Sequence, residues 1–190
     1  MLILAGPNGA GKTTASRLVV PPGMVFVNAD IIARELADEG HPIEGLQVAA
    51  GRLVLAEIRR LETARASFCV ETNLAGRGLT RSIRTWQESG YTVRLAFVAL
   101  VSPELALARV AHRVAEGGHD VPGDVVRRRW RQGLEALFSL YLDLADSWRL
   151  TDNSADHAVA VASGGKGRSP RILDRSLWVR YRSLARTNRP

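Results

Sequence analysis

The segment that most constrains the fold lies near the amino terminus, where a short apolar run breaks into a glycine-rich turn. Residues 2–5 read Leu-Ile-Leu-Ala, and residues 6–13 read Gly-Pro-Asn-Gly-Ala-Gly-Lys-Thr, which matches the pattern G-x-x-x-x-G-K-T. In a phosphate-binding loop, glycines let backbone N–H groups turn inward around phosphate oxygens, and the lysine reaches the terminal phosphates. A helix that begins here adds the positive end of its dipole. The pattern therefore predicts a nucleotide site between a strand and a helix.

Nine loop residues are predicted to bind ATP. They are Gly6, Pro7, Asn8, Gly9, Ala10, Gly11, Lys12, Thr13 and Thr14. Lys12 is also expected to act on the transferred phosphoryl group, and the Thr13 hydroxyl is expected to bind Mg²⁺. The alternative is a glycine-rich turn ahead of a purely structural helix. The apolar run before the loop and the helical pattern after it favour the nucleotide site.

The rest of the chain alternates apolar runs with helical patterns, which is typical of a parallel sheet covered by helices. Beyond residues 2–5, strands are predicted over residues 24–27, 67–70 and 92–100, with weaker candidates at 149–151 and 158–162. Helices are predicted over residues 14–20, 43–61, 79–89, 103–116 and 124–147. The predicted fold class is α/β: a P-loop NTPase built as a three-layer sandwich, with a mostly parallel central sheet and an arginine-bearing lid, as in small-molecule kinases. Residues 1–190 are expected to form one such domain.

The net charge of +7 is confined to the end of the chain. From Gly164 onward there are eight Lys and Arg residues and one acidic residue, so this basic extension accounts for the whole excess. Proteins that bind nucleic acid more often spread their charge over a folded face. We therefore interpret the extension as a solvated helix end, and nucleic acid is not the expected partner. Contact of the extension with phosphates is the alternative.

Composition limits the class of protein further. The chain has 190 residues, 46% of them apolar, which is enough to bury a sizeable core. No apolar run approaches the roughly 18 residues of a membrane span, and no basic leader precedes one. A cytoplasmic protein without a membrane partner is expected. Cys69 is the only cysteine, which excludes an intrachain disulfide and favours a buried strand position.

Polar residues at strand ends are the next candidates, because ligands bind beyond the carboxyl ends of the strands in such sheets. Asp30 follows the second predicted strand, where a carboxylate can accept a proton from an attacking hydroxyl or hold magnesium through water. The alternative for Asp30 is an N-cap of the helix that begins at Ile31. Glu71 and Thr72 end the third strand and are predicted to bind acceptor hydroxyls or support the metal; a solvated strand-end acid is the alternative.

Arginines on both sides of a glycine-rich loop predict a lid. The loop spans residues 117–123, and the arginines are Arg109, Arg113, Arg127, Arg128, Arg129 and Arg131. Guanidinium groups that close over the transferring phosphoryl group stabilise the charge that spreads over it. Consecutive arginines on a helix point in different directions, so not all six can face the phosphoryl group. We select Arg113 and Arg128, with Arg127 and Arg109 as substitutes; a solvated basic face is the alternative.

Other classes of P-loop protein fit poorly. Transporter ATPases share the loop, but no apolar strand here ends in Asp-Glu and no Leu-Ser-Gly-Gly segment occurs. The Asn-Lys-x-Asp type of sequence by which GTPases read the base is absent too. A small kinase that phosphorylates a bound acceptor is the class that remains.

Five further motifs follow the glycine-rich loop: Val-Asn-Ala-Asp at 27–30, Glu-Thr-Asn-Leu-Ala-Gly at 71–76, Gly-Gly-His-x-Val-Pro at 117–122, Arg-Arg-Trp at 128–130 and Asp-Asn-Ser at 152–154. Taken together with the loop, they resemble the zeta toxin-like P-loop kinases, in particular their short members. The resemblance covers residues 2–163 in order. It implies ATP-dependent phosphorylation of a sugar hydroxyl, with UDP-N-acetylglucosamine as the favoured acceptor, and it raises the prospect of an antitoxin protein as partner.

The resemblance also implies roles for individual residues. Lys12 and Thr13 match the family's ATP and magnesium site, and Asp30 matches the acidic residue proposed as base. Glu71 and Thr72 match the substrate pair; Arg113 and Arg128 match the arginines that contact phosphate. The chain is shorter than the larger toxins and lacks much of the polypeptide that could form their sugar-nucleotide pocket. A kinase of another small metabolite or antibiotic is one alternative, and a nucleotide-dependent protein that binds nucleic acid through its basic tail is the other.

Overall fold

A computed structural model of the chain describes residues 1–40, 45–118 and 120–187. Its strands are β1 (Leu2–Ala5), β2 (Val25–Val27), β3 (Phe68–Thr72), β4 (Arg94–Ala99), β5 (Ser147–Asp152), β6 (Val159–Gly165) and β7 (Arg168–Ile172). Its helices are α1 (Lys12–Val19), α2 (Ala29–Asp38), α3 (Leu46–Thr63), α4 (Thr80–Glu88), α5 (Pro103–Ala115), α6 (Gly123–Ala136), α7 (Leu142–Leu144) and α8 (Arg175–Thr187). A π-helical turn, Leu137–Tyr141, joins α6 to α7.

The seven strands form one sheet in the order β2-β3-β1-β4-β5-β6-β7. The pairs from β2 to β5 are parallel, whereas β6 and β7 add two antiparallel pairs. The predicted α/β class with a mostly parallel sheet is therefore confirmed. Strand β1 lies in the middle of the parallel part, and its four apolar residues are all buried. Because β1, β2 and β3 run in parallel, the residues that follow them meet at one edge of the sheet.

Two hydrophobic clusters form among the described residues. The larger one includes the buried strands and the inner faces of α4, α6 and α8. The smaller one, Ala33, Leu36 and Ala50, lies between α2 and α3. Cys69 lies in the larger cluster with no exposed surface, as predicted, and burial raises the pKa of its thiol to about 12. None of the described helices is long and apolar enough to cross a membrane.

The helix predicted over residues 124–147 is too long. It ends in the π-helical turn and the short α7, and Ser147 already belongs to β5. The side chains of Trp148, Leu150 and Asp152 alternate inward with the period of a strand. Asp146 fixes the boundary, because its carboxylate accepts hydrogen bonds from the Val93 backbone N–H (2.7 Å) and the Gln87 side chain (3.0 Å). No glycine or proline in the sequence marks the point at which the spacing of buried residues changes from that of a helix to that of a strand.

The interpretation of the basic extension as a solvated helix end is wrong. Its residues complete β6, form β7 and form α8. In α8, Trp178, Tyr181 and Ala185 are buried at helical spacing, and the Trp178 ring stacks on that of Trp148 with 6.1 Å between centroids. The arginines of α8 lie on its outer side; they are Arg175, Arg180, Arg182 and Arg186. Only one face of the helix is therefore solvated.

Candidate active site

The glycine-rich loop follows β1 and is held against the neighbouring strands. The Gly6 backbone N–H donates to the carbonyl oxygen of Thr72 at 3.2 Å. Gly6 and Gly9 have positive φ angles of 146° and 75°. A Cβ atom on Gly6 would overlap the carbonyl oxygen of Val98, and one on Gly9 would lie 2.7 Å from that of Ala106. The backbone comes this close only because both residues are glycine.

The loop fits the phosphates of a nucleotide. Helix α1 begins at Lys12 without a side-chain cap and has no acidic residue in its first turn, so its first N–H groups keep their capacity to bind an anion. Thr13 and Thr14 are exposed at this point. Asn8 is 5% exposed, and its Oδ1 atom has no hydrogen-bond partner among the described residues. The described residues contain no group of three or more Asp, Glu, His or Cys side chains that could hold a metal ion.

Lys12 is buried at the centre of the site, with 8% of its surface exposed. Its Nζ atom donates to the Pro7 carbonyl oxygen at 3.0 Å and to Asn73 Oδ1 at 3.3 Å, and it lies 3.7 Å from Glu71 Oε1. Burial lowers the pKa of Lys12, while the carboxylates of Glu71 and Asp30 raise it. The site therefore holds a poorly hydrated ammonium group between two acids.

Glu71 ends β3 beside this lysine. Its Oε2 atom accepts a hydrogen bond of 2.8 Å from the Asn28 side chain. Burial raises the pKa of Glu71, and Asp30 adds to this effect, whereas Lys12 and Asn28 oppose it. Both carboxylate oxygens of Glu71 thus face neighbouring side chains, so the acid is fixed in orientation.

Asp30 is not the N-cap of α2, as the alternative interpretation had it. The cap is Asn28, whose Oδ1 atom accepts from the backbone N–H groups of Asp30 at 2.7 Å and Ile31 at 3.3 Å. Asp30 is the second residue of the helix and is exposed. Asn28 bonds both the Asp30 backbone and the Glu71 carboxylate, and Glu71 lies 3.7 Å from Lys12, so the structure places the three predicted residues in one cluster.

Thr72 shapes the turn after β3. Its Oγ1 atom accepts a hydrogen bond of 3.0 Å from the Leu74 backbone N–H, and Leu74 has a φ angle of +55°. The turn presents the side chain of Asn73 to Lys12. Contact between Thr72 and a ligand stays a prediction.

The predicted arginines divide into two groups. Arg113 in α5 and Arg129 in α6 are partly buried, and their positive charges lower the pKa of Lys12 further. Arg128 is exposed instead, and its guanidinium lies 3.8 Å from the Asp124 carboxylate on the surface of α6. Consecutive residues of a helix point about 100° apart, so only one of the pair 128 and 129 can face the site. Arg129 is therefore the better placed of the two, and contact of either arginine with phosphate stays a prediction.

The two substitute arginines have different surroundings, and Arg109 packs beside the loop, since a Cβ atom on Gly9 would lie 3.2 Å from Arg109 Cβ. Arg127 is exposed. Arg109 donates to the carbonyl oxygens of Asn153 at 2.7 Å and Ser154 at 3.4 Å, so it fastens the turn after β5.

The loop between α5 and α6 packs closely on Arg113. The Gly118 backbone N–H donates to the Arg113 carbonyl oxygen at 2.9 Å. A Cβ atom on Gly118 would lie 2.6 Å from Arg113 Cγ. His119, which belongs to the predicted lid, lies outside the described residues. The glycine thus allows the chain to fold back over the arginine.

Three asparagines were missed by sequence reasoning. Asn28 orients Glu71, Asn73 accepts from Lys12, and Asn153 donates to the Ala10 carbonyl oxygen at 2.9 Å. Each lies beside a strand end in a segment that contributes to the family resemblance. Proximity to a strand end was the signal that could have identified them.

Comparison with known proteins identifies the family of the chain. The family model described as "AAA domain" matches residues 1–140. An uncharacterised protein of Haemophilus influenzae is 26% identical over 129 residues, which cover 68% of this chain and 91% of that protein.

Solved structures show the same fold at low sequence identity. A chain in the crystal structure of AvrRxo1-ORF1:-ORF2 with ATP has a TM-score of 0.79 at 22% identity. The superposition covers 96% of the present protein but only 63% of the AvrRxo1 chain. A chain of the PezAT chromosomal toxin-antitoxin system of Streptococcus pneumoniae has a TM-score of 0.58 at 19% identity, covering 83% of this chain and 71% of that one. The fold expected from the resemblance to zeta toxin-like P-loop kinases is thereby confirmed, and the chain belongs to the AAA domain family of P-loop proteins.

Proposed function

We propose that the protein is a kinase that transfers the γ-phosphate of ATP to a hydroxyl group of a small acceptor. The observation that carries this proposal is the cluster of Lys12, Glu71 and Asp30 at the carboxyl ends of three neighbouring parallel strands. Donor-binding and proton-accepting groups lie side by side there, which is the arrangement that phosphoryl transfer requires.

The donor side is the loop from Gly6 to Thr14. Its backbone N–H groups and the Lys12 ammonium would bind the phosphates, and the Thr13 hydroxyl would be the chain's ligand to Mg²⁺. When bound, Mg²⁺ would neutralise negative charge on the phosphate oxygens. The ATP-bound AvrRxo1 complex, which shares this fold, supports ATP as the donor.

Asp30 is the proposed general base. The acceptor oxygen attacks the γ-phosphorus, the bond from that phosphorus to the bridging oxygen breaks, ADP leaves, and the hydroxyl proton passes to the Asp30 carboxylate. Asp30 suits this role because it is exposed to an incoming acceptor. Glu71 does not, since Lys12 and Asn28 already face its two oxygens. We assign Glu71 and Thr72 to orientation of the acceptor.

Arg113 and Arg129 are the proposed cations that complete the site. Their charges already act on Lys12 in the structure. During transfer, negative charge spreads over the oxygens of the phosphoryl group, where fixed guanidinium groups stabilise it.

The favoured acceptor is a sugar nucleotide such as UDP-N-acetylglucosamine, in keeping with the family resemblance. The AvrRxo1 structure is that of an ORF1:ORF2 complex, and PezAT is a toxin-antitoxin system, so we include an antitoxin protein as a proposed partner.

An acceptor screen tests the proposal. The purified chain is incubated with ATP, Mg²⁺ and UDP-N-acetylglucosamine, and the products are analysed by mass spectrometry for a gain of one phosphate. Sugars, nucleosides and small alcohols are tested in parallel. A product from UDP-N-acetylglucosamine supports the full proposal, and a product from another compound alone contradicts only the acceptor. ATP binding without transfer to any acceptor would contradict the kinase assignment.

A further inference from the structure

A chain of buried hydrogen bonds links α8 to the carboxyl end of β5. The Tyr181 hydroxyl donates to Asp152 Oδ2. Tyr181 has no exposed surface and Asp152 has 4%. Burial, with the Asp152 carboxylate, raises the pKa of Tyr181, so the hydroxyl keeps its proton and remains a donor. The contact is therefore a hydrogen bond between a helix of the basic extension and a strand of the central sheet.

Asp152 in turn fixes the turn that follows β5. Its Oδ1 atom accepts from the Ser154 backbone N–H at 3.0 Å, and its Oδ2 atom accepts from the Ser154 hydroxyl at 2.8 Å. Ser154 Oγ accepts from the Val101 backbone N–H at 2.9 Å, which ties the turn to the end of β4. Arg109 donates to the carbonyl oxygens of Asn153 and Ser154 in this turn. The turn is thus held by Asp152, by the Val101 backbone and by Arg109.

Asn153, the middle residue of the turn, contacts the phosphate-binding loop. Its Nδ2 atom donates to the carbonyl oxygen of Ala10 at 2.9 Å. A Cβ atom on Gly11 would lie 2.8 Å from the same nitrogen, so the two segments are in close contact. The contact falls on the peptide group that immediately precedes Gly11 and Lys12.

This contact determines which way that peptide group faces. In a planar trans peptide the C=O and N–H bonds point in opposite directions. Asn153 holds the Ala10 C=O outward, and the Gly11 N–H must therefore point to the opposite side. Gly11 has a φ angle of +82°, and glycine gives this peptide more freedom to rotate than any other residue would. A hydrogen bond from outside the loop removes that freedom.

We propose that Asn153 is a positioning residue for the phosphate-binding loop, and that Tyr181 acts through Asp152 to hold Asn153 in place. The C-terminal helix then sets the loop conformation that binds the donor phosphates. This inference rests on the proposed function only in taking a nucleoside triphosphate as the ligand. It gives α8 a role at the phosphate-binding loop, which it reaches through the turn after β5.

The test compares the wild-type chain with Asn153→Ala and Tyr181→Phe. Tyr91→Phe is the matched control, because its hydroxyl donates to a backbone carbonyl oxygen, that of Ala66 at 3.2 Å, outside the phosphate-binding loop. Loss of one such hydrogen bond changes an equilibrium roughly 2- to 10-fold. We expect Asn153→Ala to weaken Mg-ATP binding about 3- to 10-fold and Tyr181→Phe about 2- to 3-fold by titration calorimetry, with no change for Tyr91→Phe.

A double variant tests whether the two residues act in series. If Tyr181 acts through Asn153, Asn153→Ala combined with Tyr181→Phe binds Mg-ATP no more weakly than Asn153→Ala alone. If the two effects multiply, the proposed connection is wrong. A melting temperature lowered equally in Tyr181→Phe and Tyr91→Phe, with ATP affinity unchanged in both, would reduce Tyr181 to a structural residue and overturn the proposal.

A measurement without ligand separates this proposal from the proposed function. Hydrogen exchange of the peptide covering residues 5–14 should be faster in Asn153→Ala and Tyr181→Phe than in wild type, and unchanged in Tyr91→Phe. If wild type binds no ATP but exchange changes as expected, the positioning role holds and the ATP assignment fails. If wild type binds ATP and exchange does not change, the positioning role is wrong.

Discussion

The proposed donor and acceptor sides of the candidate site are built differently. On the donor side, the phosphate-binding loop is tied to two other segments, the end of β3 through Thr72 and Asn73 and the turn after β5 through Asn153, and it borders the larger core. On the acceptor side, Asp30 is exposed on α2, which packs on α3 around the smaller cluster. Glu71 connects the two sides, because it accepts a hydrogen bond from Asn28 at the start of α2 and lies 3.7 Å from Lys12.

This difference indicates where specificity resides. A loop restrained from several directions binds the same phosphates in every turnover, and its sequence is shared by many P-loop proteins. An exposed carboxylate on a separately packed pair of helices can accommodate different acceptors without disturbing the loop. We therefore expect changes on the donor side to affect ATP binding and transfer together, and changes on the acceptor side to affect transfer alone.

The largest effect is expected from Lys12→Ala. It removes the buried ammonium group from the centre of the donor side, and loss of one such charge-stabilising donor lowers kcat by about 100- to 1000-fold. ATP affinity should fall as well. Both are measured by transfer assay and calorimetry, with Arg17→Ala, at an exposed position of the same helix, as control. Activity within threefold of wild type would show that the loop is not the donor site.

Asp30→Asn tests the acceptor side. A general base contributes about 100- to 10,000-fold, so kcat should fall by at least about 100-fold while ATP affinity stays within twofold. Asp38→Asn, at an exposed position at the end of α2, is the control and should retain full activity. If ATP binding falls as steeply as kcat, the two sides are not separable in the way that the structure suggests.

The lid arginines allow a comparison of adjacent residues. Arg129→Ala should lower kcat about 10- to 100-fold, because it removes a cation whose charge acts on Lys12 and which we propose to stabilise the transferring phosphoryl group. Arg128→Ala removes only a surface ion pair and should change kcat less than twofold. Measured side by side, the reverse order would restore the sequence-based choice of Arg128.

The smallest effect concerns the contact between the two sides. Burial raises the pKa of Glu71 in the folded protein above its value in the unfolded chain. The stability that the protonated carboxyl group contributes is therefore fully present only below the unfolded-state pKa, and it is lost as pH rises through the folded-state pKa. The Glu71→Gln variant carries a neutral side chain at every pH. The melting temperature of this variant minus that of wild type should therefore increase by about 1–3 °C between pH 4 and pH 7. Glu88→Gln, at an exposed position, is the control. A difference that does not grow with pH would contradict the direction of the pKa shift.

The parallel half of the fold was predictable from the sequence because its signals are local. The apolar run of β1 stands directly before the glycine pattern, and Asp30 and Glu71 each follow a short apolar segment. The helix α8 was misinterpreted because its arginines suggested solvent, although Trp178, Tyr181 and Ala185 have the spacing of a buried face.

The contacts of the site were harder to predict because their partners are distant in sequence. Lys12 and Asn73 are 61 residues apart, and Ala10 and Asn153 are 143 residues apart. An asparagine carries no charge and fits many turns, so its place in the sequence does not indicate a partner that is distant along the chain. The choice between Arg128 and Arg129 is difficult for a similar reason, since the loop before α6 does not reveal the rotation of the helix.

The position of β7 at the border of the sheet gives the basic extension a second effect, which concerns association between molecules and involves no ligand. Strand β7 forms one border of the sheet, all five of its residues are exposed, and they include Arg168, Pro170 and Arg171. At the opposite border, β2 is only three residues long. Proline lacks the N–H group that a further strand would need, and like charges repel a second copy of the same edge. The molecule is thereby protected at both borders against the strand-to-strand association that leads to aggregation.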